Sequence, residues 1–165
     1  MLNRSPMPDK SSGFTLIELI TSIAVLGILL AIAAPSFNRF MRNIEVRNAA
    51  ESILSGIQRA RAEAVGRNTN VSFTLSNDSS WTVSVVAPAA QIESRPANEG
   101  SQNVTRTITG SATITFNNLG IIANAEPLQQ IDFSAEGSNR PLRVTIGAGG
   151  NARLCDPAGS GPNAC

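Results

Sequence analysis

The side chains able to do chemistry in this chain are two cysteines, a scatter of carboxylates, one carboxylate inside an apolar block, and a set of arginines. Histidine and tyrosine are absent, which removes the commonest general base and the commonest transition-metal ligand. The acids Asp78, Glu93, Glu99, Glu126, Asp132, Glu136 and Asp156 show no nucleophile–base pairing, so no enzymatic activity is expected. Gly147, Ala148, Gly149 and Gly150 look like a phosphate loop only superficially. No lysine or helix start follows them, and they predict a hairpin turn. Two cysteines without histidine make no zinc site. No metal or cofactor is therefore expected. Formal net charge is +1 over 165 residues and Lys10 is the only lysine, so no general basic field advertises nucleic acid.

The carboxylate with the least ordinary setting is Glu18. It is the single formal charge in residues 14–37, a stretch of 24 residues. As a helix this stretch spans ~36 Å, enough for the ~30 Å hydrocarbon layer. A carboxylate there costs several kcal/mol unless neutralised, paired or close to water. A cleavable secretory signal fits poorly, because the stretch is too long and Pro35 follows the small residues Ala33 and Ala34. The polar segment in front carries Arg4 and Lys10, which favour its retention in the cytoplasm. Arg39, Arg42 and Arg47 follow the stretch, so charge asymmetry alone leaves the orientation open.

Gly13, Phe14, Thr15, Leu16, Ile17 and Glu18 together resemble the type IV prepilin signal. The resemblance implies cleavage by a prepilin peptidase between Gly13 and Phe14, N-methylation of Phe14, and retention of the apolar helix. It further implies that Glu18 pairs with the methylated amine of a neighbouring subunit during assembly with other pilins. Pro35 stands where many pilins bend this helix. The amino terminus would then be cytoplasmic, the helix single-pass in the inner membrane, and the remainder periplasmic. In an exported domain, Cys155 and Cys165 predict a disulfide.

The elements that must carry these residues follow from periodicity. Phe37, Phe40, Met41, Ile44, Ala50, Ile53, Leu54, Ile57, Ala60 and Ala64 recur at helical spacings and predict one stripe packed on the protein's own sheet. Gly66, Arg67 and Asn68 predict its stop. Beyond residue 70, alternating runs predict strands at 71–75, 81–87, 104–109, 112–116, 129–133, 142–146 and 152–155, with a loop over 88–100. The expected organisation is a leader (1–13), a membrane helix (14–37), an amphipathic extension (38–68) and a β-rich domain (69–165). The fold class is α+β: one long amino-terminal helix packed on an antiparallel β-domain.

Arg59 to Val65, the strand at Val71, the lone Trp81, and Ile114 to Gly120 are similar to the GspH/FimT branch of minor pilins and pseudopilins. The segment from Gly150 to Pro157 is similar to the tail of FimT-like proteins, with Asn151 in place of that tail's first arginine. The resemblance implies a subunit that primes or tips a type IV pilus-like filament. Its alternatives are a GspH-like pseudopilin of type II secretion and a minor pilin that binds double-stranded DNA in transformation. For DNA, the candidate contacts are Arg140, Arg143 and Arg153, expected on adjacent strands of one face.

Overall fold

The computed structural model describes residues 13–77, 80–99 and 102–165. Most of the expected leader, Asp78 and the end of the 88–100 segment lie outside these residues. Among the described residues, one helix, α1 (Leu16–Arg67), precedes eight strands: β1 (Val71–Leu75), β2 (Trp81–Val85), β3 (Ala90–Arg95), β4 (Val104–Gly110), β5 (Thr113–Phe116), β6 (Leu128–Ala135), β7 (Leu142–Ile146) and β8 (Ala152–Cys155). The chain divides into two compact units, Met1–Phe37 and Asn38–Cys165.

In the first unit every described residue is exposed, and the helix there is long and apolar enough to cross a membrane. Thr21 and Ser22 return their hydroxyls to backbone carbonyls of Ile17 and Glu18, so their polarity is satisfied within the helix. That leaves an apolar surface with no protein partner in the unit, which is what a lipid solvent requires.

The second unit is built on two four-stranded antiparallel sheets, in orders β3-β2-β1-β5 and β4-β6-β7-β8. Strands β1 and β2 alternate strictly between buried and half-buried residues, so one face of each enters the core. Val46, Ala49, Ala50, Ile53, Gly56, Ile57, Ala60 and Ala64 form the buried stripe of α1. Its side chains join Phe73, Phe116, Phe133 and their neighbours on both sheets in one apolar cluster.

Two features differ from the sequence expectation. The predicted stripe began at Phe37, but Phe37, Phe40 and Met41 are exposed and burial starts at Val46. Helical periodicity registers a face without showing where the sheet beneath it begins. The 88–100 segment contains a strand, β3, which pairs with β2 at the sheet edge. Its pattern is largely exposed, with no alternation for a reader to find.

Small residues set how closely α1 approaches the sheet. A Cβ added at Gly56 would lie 2.7 Å from Phe73 Cε2 and 3.2 Å from Trp81 Cδ2. The Phe73 and Trp81 rings are 5.7 Å apart, and Trp81 Nε1 donates to Ser52 Oγ at 2.9 Å. The lone tryptophan thus fills the core and keeps its polar atom bonded to the helix. Gly56 was not singled out in the sequence, since a helix glycine carries no pattern of its own.

Candidate functional site

At the start of α1, Gly13 and Phe14 are exposed, Phe14 at 90% of its surface, and among the described residues no atom comes within 4 Å of a Cβ built on Gly13. Thr15 is the N-cap. Its Oγ1 accepts from the Glu18 backbone N at 3.3 Å, while Glu18 Oε2 accepts from Thr15 N at 2.9 Å and Thr15 Oγ1 at 2.7 Å. This reciprocal capping box satisfies two amides that the first helical turn cannot. The carboxylate also sits where the helix dipole favours negative charge. The signal for it in the sequence is Thr-x-x-Glu before an apolar run, the same residues that carry the processing motif.

At the other end of α1, Asn68 adopts φ 51°. Its N donates to Val65 O, and Thr69 N donates to Ala64 O. These are the two bonds of a Schellman stop, with asparagine in the position that usually takes glycine. One turn earlier Arg61 Nε donates 2.9 Å to the Gly120 carbonyl. Asn117 Oδ1 accepts from Leu119 N and Ile121 N, holding the loop that presents Gly120. Gly120 has φ +72°, and a Cβ there would lie 3.1 Å from Val65 Cγ2 and 3.2 Å from Arg61 Nε. The two segments noted as branch-like in the sequence are therefore one physical lock between helix and loop. The tail segment joins it: a Cβ on Gly150 would meet Phe116 Cε1 at 2.8 Å and Gly120 O at 3.3 Å.

The turn expected at 147–150 joins β7 to β8. Gly147 N donates to Asn151 O, Gly150 N donates to Gly147 O, and Gly150 has positive φ. Cys155, the last residue of β8, is joined to Cys165 in a disulfide with Cα atoms 5.2 Å apart. Asp156 N donates to Asn163 O and Cys165 N to Asp156 O, closing the tail into a ring.

Of the arginines considered for DNA, Arg143 and Arg153 lie on one face of β7 and β8, where Thr145 pairs with Arg153 and Arg143 with Cys155. Arg143 Nε is held 2.6 Å from Asp132 Oδ1, which sits directly across on β6. Arg153 Nε donates to Thr145 Oγ1 at 3.3 Å. Arg140 was expected on a strand and lies instead in the exposed loop before β7. The fold brings two of the three together, with one of these neutralised. Among the described residues, no group of three or more acids, cysteines or histidines is placed to hold a metal.

An exposed apolar helix with a capped Thr-x-x-Glu start, followed by a helix-on-sheet domain, defines the pilin-like class of membrane-anchored subunits. Residues 8–34 match the prokaryotic N-terminal methylation motif. Residues 49–156 match the family of Type II transport protein GspH, and the chain belongs to that family. Two crystal forms of the type IV minor pilin FimU from Pseudomonas aeruginosa share the fold. One aligns at 17% identity and TM-score 0.54, covering 71% of this chain and 98% of that one. The other aligns at 18% and 0.56, covering 75% and 98%. No curated protein matches the chain by sequence.

Proposed function

We propose that this protein is a minor pilin or pseudopilin, a structural subunit that primes or tips a type IV pilus-like filament. The observation that carries the reading is the Gly13, Phe14 and Glu18 motif abutting an unburied apolar helix, in a chain whose domain belongs to the GspH family. Residues 14–37 span the inner membrane, with the leader cytoplasmic and the β-domain periplasmic. Prepilin peptidase cuts between Gly13 and Phe14, and the new amine is methylated. Glu18 Oε2 accepts both Thr15 bonds, and its other oxygen receives the methylated amine of an adjacent subunit. Neighbouring pilins join through the same helices. Service in type II secretion is the nearest alternative within this class, consistent with the family's description. Duplex DNA draws less support, because Asp132 neutralises Arg143 and the side-chain charge beyond residue 13 is balanced.

Intact-mass analysis of the membrane-extracted protein tests the reading. The expected product lacks residues 1–13 and carries one added methyl group. Gly13→Val should abolish the cut. Because a side chain at Gly13 meets nothing among the described residues, failure of the variant to be processed would report on the peptidase and not on folding of the domain. A mature chain beginning after Ala34 would overturn the proposal.

A further inference from the structure

The residues of the second unit that follow the apolar segment carry groups that neither the core nor the filament reading uses. Residues 38–43 contain Arg39 and Arg42 and no acid. Between them Phe40 and Met41 are 58% and 41% exposed, although their spacing suited a core stripe. The loop after β6 adds Arg140. Asn43 Oδ1 accepts from Ser138 Oγ at 2.8 Å and Asn139 N at 3.2 Å, and Asn43 Nδ2 donates to Asn139 Oδ1 at 2.9 Å. The nearest acid along the helix, Glu45, is engaged by Arg42 at 2.9 Å. Glu136 lines the same cleft as Arg39 and Arg42. Arg39 and Arg140 make no ion pair among the described residues.

Connectivity and chemistry together select the occupant. Arg39 and Arg42 lie two and five residues past the apolar segment, so the chain cannot carry them more than about 18 Å from its end. Headgroup and interfacial layers occupy the first ~5–8 Å of that distance. Aromatic rings favour this layer, and arginine forks match phosphate oxygens there. An acidic protein or duplex DNA would suit the arginines but leave Phe40 and Met41 exposed to water. We propose that Arg39, Phe40, Met41 and Arg140 form a docking surface for anionic phospholipid headgroups on the domain's side of the membrane. The proposal rests on the reading of residues 14–37 as a membrane span. It accounts for arginines placed beyond a span where charge asymmetry does not call for them.

The test uses the full chain reconstituted in vesicles, with Phe40→Trp as reporter; Trp81 is buried and supplies a constant background. Brominated phosphatidylglycerol is compared with brominated phosphatidylcholine at equal mole fraction. Quenching should favour phosphatidylglycerol, by roughly fivefold for each arginine engaged. Arg39→Gln with Arg140→Gln should erase the preference, and lysine at both positions should keep it. Equal quenching by the two lipids, or a preference that survives loss of both arginines, overturns the headgroup assignment. No quenching in a chain that stays with the vesicles overturns the docking surface and leaves the span intact. Loss of quenching as protein density rises places a neighbouring subunit on this surface and also overturns the proposal. A chain that does not stay with the vesicles overturns the span, and the proposal with it.

Discussion

Glu18 illustrates how much a single carboxylate can be asked to do. Its bonds to Thr15 explain its place at the third helical position without any partner, whereas the proposed assembly role would require its charge. Glu18→Gln separates the two, because glutamine can complete the capping box but carries no charge. Both Glu18→Gln and Glu18→Ala should insert in the membrane, since removing a charge lowers the insertion cost. Both should fail to enter filaments in sheared fractions; normal incorporation of the glutamine variant would reduce Glu18 to a cap. Gly120 is a second residue-scale test. Its positive φ strains any side chain there, and a Cβ would crowd Val65 Cγ2 at 3.1 Å. Gly120→Ala should therefore cost about 1–3 kcal/mol in denaturant unfolding. Arg61→Ala should cost about 1 kcal/mol by removing the bond to the same loop. Because the two changes act on one lock, their effects should not add in the double variant.

Among the elements, the last turns of α1 combine a stop with a charge network. Asn68→Ala places an ordinary side chain at φ 51° and should cost about 1–2 kcal/mol, while Asn68→Gly should be near neutral. Glu63 is bonded to Arg67 and lies 3.0 Å from Arg59, which also approaches Glu93 at 3.7 Å. The Arg67 hydrogen bond, aided by the charges of Arg67 and Arg59, holds the Glu63 carboxyl below its ordinary value of 4.5. A group depressed in the folded state contributes stability above its unfolded pKa and loses it as pH falls through the folded value. Stability measured below about pH 4.5 should accordingly fall less steeply in Glu63→Gln than in the parent. At the carboxyl end, Cys155 is buried and the ring over residues 155–165 is closed by its disulfide. Replacing both cysteines by alanine should lower stability by up to about 3 kcal/mol and increase hydrogen exchange after Cys155. An unchanged melting temperature would show that the tail is uncoupled from the core.

For the whole molecule, the two units answer to different solvents. The first has no buried residue among those described, while the second buries a cluster drawn from helix and both sheets. The proposed assembly through the first unit's helix predicts that substitutions in the core of the second act through stability. Phe73→Ala, in the fully buried centre, should cost about 3–5 kcal/mol in unfolding of the second unit. It should leave cleavage at Gly13 unaffected, as read by intact mass. Processing lost together with stability would show that the peptidase requires a folded domain.

Some of this was legible without coordinates because it is local. The length of residues 14–37, the processing motif, the 147–150 turn and the helix stop at Asn68 depend on neighbours within a few positions. Strands β1, β5 and β7 were equally readable, since burial on one face imposes a period of two. Strand β3 was invisible because an edge strand with both faces largely exposed has no period to show. Tertiary structure alone decided that Val46, and not Phe37, begins the buried stripe. It also decided that Gly56 admits Phe73, that Arg61 meets Gly120, and that Asp132 takes Arg143. Those pairings join residues on different elements, and their partners are set by strand register and by how sheets and helix stack. Local periodicity says which side of an element is apolar; only the stacked elements say what that side touches.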